Sequence, residues 1–246
     1  MSEAVEKKQS AFDKFENLLN TYLGPVAEKM DKQRHLSAVK KAMIAMTPLL
    51  LIGSFCLIPA AIPNMIGETN PISVWILNNT QYFDLAYNVS MGLMSVFVSV
   101  VTAYHLAKSY ELDAPGSMSM ALVAFLLLGM EMDEAGGIAL RGMGSKGLFV
   151  AMVASLLAVE VYRWCKKRHF TIKMPDTVPD FISSSFEIIP VTAIVIGLFL
   201  GIRVLCQGVF GIMPNEIFSI ILAPLVGSMD SPLAVTFYHI LRCFIF

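Results

Sequence analysis

Apolar runs separated by short polar joints organise most of the chain. Phe12, Phe15, Leu18, Leu19, Tyr22, Leu23 and Val26 recur at spacings of three and four. That spacing marks one face of an amphipathic helix within residues 1–41, expected at the membrane interface. The uncharged run 42–62 is long enough to cross a bilayer, and Pro48 and Pro59 are expected to kink or end it locally. A turn-rich loop, 63–71, follows. Residues 72–83 read as an interfacial stretch anchored by Trp75 and Tyr82, before a second span at 85–106. The runs 114–130 and 147–161 are short and read either as thin spans or as a re-entrant pair. A fifth span, 181–202, contains Glu187 and Pro190. Residues 212–225 read as an interfacial or short helix, and 232–246 as the start of a further span. The pattern predicts an all-α, polytopic membrane protein. It has about five to six membrane segments plus interfacial amphipathic helices.

Composition agrees with that pattern. The chain is 56% hydrophobic and 15% charged, against roughly 45–50% and about 25% for soluble domains. Disorder is excluded, and a net charge of -1 gives no pull toward nucleic acid. The charges are segregated. Eight of the 18 Lys and Arg residues lie in 1–41, and Arg163, Lys166, Lys167, Arg168 and Lys173 form a second cluster. With Lys108 these fall on one side of the predicted spans, while Arg141 and Lys146 fall on the other. The basic side, with the amino terminus, is expected to be cytoplasmic. The opening MSEAVEKKQS has no apolar core, so the first span is expected to direct insertion. Cys56, Cys165, Cys206 and Cys243 have no metal-ligand spacing and read as small buried hydrophobes.

Few residues carry candidate chemistry. No Ser-His-Asp set, zinc cluster or dinucleotide fingerprint occurs, so neither a metal nor a cofactor is expected. Gly197 and Gly201 form a GxxxG, which suits a dimer contact or a tight pair of helices. Glu160 lies at helical spacing from Arg163, which suits an ion pair. Glu187 and His239 are ionisable groups in apolar segments and hence candidates for a transport path. Each also has a structural reading, as a group bonded to a neighbouring helix or facing water. In MPDTVP (174–179), Pro175 and Pro179 hold the backbone extended and Asp176 can close a turn.

Three strings add a family likeness: QRHLSAVKKAMIAMTPLLLIGSF (33–55), AYHLAKSYELDAPGSMSMALVAFL (103–126) and MGSKGLFVAMVASLLAVEVYRWCKKRHFTIKMPDTVPDFISSSFEIIP (143–190). Together they resemble enzyme IIC, the membrane permease of the phosphoenolpyruvate-dependent sugar phosphotransferase system, in its lactose/cellobiose/diacetylchitobiose branch. The resemblance implies a homodimeric permease of the bacterial cell membrane. It would carry a β-linked disaccharide inward for phosphorylation by enzyme IIB, with enzyme IIA, HPr and enzyme I upstream. It implies an interfacial helix over 1–41, a dimer-interface domain over 42–206 and the start of a sugar-transport domain over 207–246. The turn holding Pro175, Asp176 and Pro179 becomes a candidate enzyme IIB contact or hinge. The family's sugar-contacting histidine sits in a Gly-Ile-His-Gly type motif. Here the chain stops at FYHILRCFIF (237–246), and His239 has Tyr238 and Ile240 beside it. The family histidine is therefore not carried over to His239. The resemblance implies that this chain lacks the sugar-binding half. The alternative is a truncated, non-transporting dimerisation module or half of a split permease.

Overall fold

The computed structural model describes residues 32–132, 138–139, 142–170, 180–214 and 216–217. Among these residues seven α-helices follow in order: α1 (Arg34–Phe55), α2 (Ile58–Ile66), α3 (Pro71–Ser90), α4 (Met94–Ser109), α5 (Ala114–Gly129), α6 (Leu148–Lys167) and α7 (Asp180–Leu205). A two-stranded antiparallel ladder, Glu131 opposite Ala139 and Met132 opposite Ile138, lies between α5 and α6. A short 3-10 turn, Ser145–Gly147, leads into α6, and a π turn, Cys206–Phe210, ends α7.

Small residues explain the packing. Ala103 and Ala107 of α4, Ala121 and Ala124 of α5, and Ala151, Ala154 and Ala158 of α6 are fully buried. Side chains of this size let three backbones approach closely where apolar burial against lipid gives little drive. Leu106, Met120, Phe125 and Tyr162 fill the space left between them. Helix α1 joins through Ala38, and α7 through Val191, Val195 and Phe199, one side of its cylinder. The two short apolar runs thus form α5 and α6, which pack against α4 along their lengths. Helix α6 extends to Lys167, beyond the expected end at 161.

The first span breaks at Pro59, as expected, and the second is divided where no break was expected. Helix α1 passes through Pro48 and ends at Phe55, while Pro59 occupies the first turn of α2. Pro59 has no N–H to bond the carbonyl of residue 55, so the interruption falls there. The expected span 85–106 is divided at 91–93, and its first part belongs to a helix that begins at Pro71. Residues 72–83 are accordingly part of α3 and not a separate interfacial stretch. The break is held by the turn that leads into α6: the Ser95 N–H donates to Met143 O at 2.9 Å, and its hydroxyl donates to Gly144 O. The Met143 carbonyl thereby satisfies one of the free N–H donors in the first turn of α4, and the Gly144 carbonyl holds the Ser95 side chain. Asn70 caps α3 through the Ile72 N–H at 3.0 Å, and Asp113 caps α5 through the Gly116 N–H at 2.7 Å.

Among the described residues four helical stretches are long and apolar enough to cross a membrane: Arg34–Ile66, Pro71–Ser109, Ser145–Lys167 and Phe186–Val209. Ala114–Gly129 is apolar but shorter. Its 16 residues reach about 24 Å, less than a typical hydrocarbon core of about 30 Å. The expected elements over 1–31 and 218–246 lie outside the described residues.

Candidate functional site

The carboxyl ends of α4 and α6 meet the amino ends of α1 and α5 at one end of the bundle. Both carboxyl ends close in the same way. After α4, Leu112 N–H donates to Ala107 O at 3.0 Å and Glu111 N–H to Lys108 O at 3.3 Å. After α6, Phe170 N–H donates to Cys165 O at 3.0 Å and His169 N–H to Lys166 O at 3.2 Å. These are Schellman closures, and their pivots, Glu111 and His169, both have φ 56°. The reversals turn Tyr110 into the bundle end and Phe170 back onto α6.

Glu160 is the hub of this end. Its Oε1 accepts from Tyr110 Oη at 2.5 Å and His35 Nε2 at 2.9 Å, and its Oε2 accepts from Arg163 Nη1 at 3.3 Å. Three elements distant in sequence are thereby tied to one carboxylate. The Tyr110 ring also receives two guanidinium groups, Arg163 at 4.1 Å and Arg34 at 5.0 Å from its centroid. Burial first, and then the hydrogen bond to Glu160 and its negative charge, hold the Tyr110 phenol above its ordinary pKa, against the pull of Arg163 and Arg34. The phenol therefore stays a donor at neutral pH. Glu160 and Arg163 pair as their spacing predicts. His35 and Tyr110, 125 and 50 residues away, are the partners that local spacing cannot find. The common placement of the two basic clusters was the available signal.

Glu187 stands beside this hub, with its carboxylate 3.8 Å from Lys166 Nζ. Gly197 and Gly201 lie on the side of α7 away from Val191, Val195 and Phe199, and a Cβ at either would meet nothing within 4 Å. No tight pairing within the described residues uses them. Pro175, Asp176, Pro179 and His239 lie outside the described residues. At the opposite end of the bundle, Arg203 Nη1 donates to Leu127 O and Met130 O, each at 2.8 Å. Among the described residues there is no cluster of three or more His, Cys, Asp or Glu able to hold a metal. The site is a saturated polar clamp, built to hold helix ends in register.

An apolar helical bundle with charge gathered at its ends defines a multi-pass membrane protein. The family described as Phosphotransferase system, EIIC matches residues 40–246, and the chain belongs to that family. It is similar to the lactose-specific EIICB component of Lactococcus lactis subsp. lactis, 33% identical over 86% of this chain and 38% of the relative. It is similar to the oligo-beta-mannoside-specific EIIC component of Bacillus subtilis (strain 168), 32% identical over 92% of this chain and 53% of the relative. Among solved structures it resembles ChbC, the IIC component of the N,N'-diacetylchitobiose-specific phosphotransferase system. That match has a TM-score of 0.70 and 28% identity, over 87% of this chain and 52% of ChbC. The chain thus spans about half, or less, of the length of these relatives.

Proposed function

We propose that the chain is part of a sugar permease that carries a β-linked disaccharide or related glycoside inward across a bacterial cell membrane. Enzyme IIB, supplied through enzyme IIA, HPr and enzyme I, would phosphorylate the sugar at the cytoplasmic face. The observation carrying this reading is the family match over 40–246, joined by relatives whose names specify lactose and oligo-beta-mannoside. In this reading the basic bundle end faces the cytoplasm. Residues 42–206 form the dimer-interface domain of a homodimer, with Gly197 and Gly201 offering a flat face to a partner helix. Residues 207–246 begin the sugar-transport domain. The turn with Pro175, Asp176 and Pro179 serves as enzyme IIB contact or hinge. Lys166 beside Glu187 supports a structural role for that carboxylate, which leaves His239 as the remaining candidate on the sugar path.

The test is deletion of the encoding gene in its native host, followed by uptake of radiolabelled lactose, cellobiose and diacetylchitobiose. Loss of intracellular phosphorylated sugar for one of them, restored by the gene in trans only when enzyme IIB is present, is expected. Unchanged uptake of all three overturns the reading.

A further inference from the structure

We infer that the carboxyl end of α6 carries a seat for the headgroup of an anionic lipid. Trp164, in the last turn of α6, and Phe170, just past its closure, stack with ring centroids 6.0 Å apart and planes 18° from parallel. The Schellman closure fixes that stack. With the Phe170 N–H tied to Cys165 O, the chain folds back and the second residue past the cap lands on the helix side. Both rings nevertheless stay outside the bundle, Trp164 51% and Phe170 55% exposed. The result is a rigid aromatic ledge at the end of a helix long and apolar enough to cross a membrane. Indole side chains favour that level, with an apolar body and a polar N–H.

Charge selects the lipid class. The Arg168 guanidinium lies 6.0 Å from the Trp164 ring centroid, and Lys167 is its neighbour in sequence. The nearby carboxylates are committed elsewhere: Glu160 to His35, Tyr110 and Arg163, and Glu187 to Lys166. Among the described residues, no carboxylate comes within ion-pair distance of Lys167 or Arg168. An apolar ledge beside two cations that no carboxylate among the described residues pairs with matches a lipid whose acyl chain meets the rings and whose phosphate meets Lys167 and Arg168. A neutral headgroup brings its own cation and gains little from them.

The chain has two tryptophans, so Trp75→Phe leaves Trp164 as the sole reporter. The full chain carrying that change is placed in phosphatidylcholine vesicles with a small, equal fraction of brominated phosphatidylglycerol or brominated phosphatidylcholine. Brominated phosphatidylglycerol should quench Trp164 more strongly. The preference should shrink by about five-fold for each cation removed in Lys167→Gln and Arg168→Gln, with helical circular dichroism unchanged. Inorganic phosphate added to vesicles without phosphatidylglycerol should leave the emission unaltered. If it shifts the emission there, the site takes free anions and the lipid assignment fails. Equal quenching by both lipids overturns the proposal. Absence of quenching by either does too, since the ledge is then covered by protein.

Discussion

The two ends of the bundle solve the same problem with different materials. At the polar end, side chains from remote elements converge on the Glu160 carboxylate. At the other end, donors act on backbone carbonyls: the Arg203 guanidinium on those of Leu127 and Met130, the Ser95 N–H on that of Met143 and the Ser95 hydroxyl on that of Gly144. The difference follows from helix length. Helix α5 has 16 residues, about 24 Å against a hydrocarbon core of about 30 Å, so a bilayer would leave its last carbonyls in need of donors from protein. A guanidinium suits that task, because its charge complements the negative end of the helix dipole. The polar end has water within reach, and its groups gain less from each bond.

The comparison breaks if the carbonyl-based end proves the cheaper one to disrupt. Arg203→Met removes both charge-assisted bonds and leaves two carbonyls in apolar surroundings. A loss of about 3 kcal/mol is expected, read as a lowered midpoint of denaturation in detergent. Arg203→Lys keeps the charge without the fork and should recover only part of it. A variant as stable as the parent would show that the cap is dispensable. Next in size is Gly147→Ala. A Cβ there collides with the Gly142 carbonyl oxygen, and backbone cannot rotate aside as a side chain can. The expected cost is about 2 kcal/mol, with the turn at 142–147 loosened more than the polar end. Hydrogen exchange of amides 142–147 against those near Glu160 would check this.

Glu160→Gln should cost less, about 1 kcal/mol, because the carboxylate and its ionic partners are about a third exposed. A cycle with Tyr110→Phe would give the coupling between them. The same pair sets an alkaline signature. The folded state raises the Tyr110 pKa, so it holds that proton more tightly than the unfolded chain. The stabilisation is fully present below the unfolded value, about 10, and is lost as pH rises through the folded one. Stability of the parent should fall more steeply above about pH 10 than that of Tyr110→Phe. Parallel curves would remove Tyr110 from the account.

Much of this architecture is legible in the residue pattern. The uncharged runs locate the helices, because lipid tolerates no unpaired backbone, and the basic clusters identify one common end. Glu160 and Arg163 are legible because the helix brings residues three apart together. His35 and Tyr110 are not, since their meeting with Glu160 depends on how α1, α4 and α6 are stacked. The break at 56–57 is announced by Pro59, whereas the one at 91–93 is hidden for a related reason. An apolar run reads the same whether or not its helix is continuous, and the carbonyls that stabilise the second break come from residues 143 and 144. The outward face of Gly197 and Gly201 likewise depends on which side of α7 the bundle takes.

The smallest expected effect separates the two closures at the polar end, which share a geometry but not a chemistry. Glu111 and His169 both sit at φ 56°, where a Cβ is crowded and glycine is favoured. Replacing either by glycine relieves that crowding, while the greater freedom of the unfolded chain takes back part of the gain. Only Glu111 places a negative charge at the carboxyl end of a helix, against the dipole of α4. Glu111→Gly should therefore stabilise the protein by about 1 kcal/mol and His169→Gly by about 0.5 kcal/mol. Glu111→Ala divides the two contributions, since it removes the charge and keeps the Cβ. If Glu111→Ala matches Glu111→Gly, the dipole carries the effect. If it leaves stability unchanged while glycine raises it, the left-handed backbone does, and the two glycine variants should then gain equally.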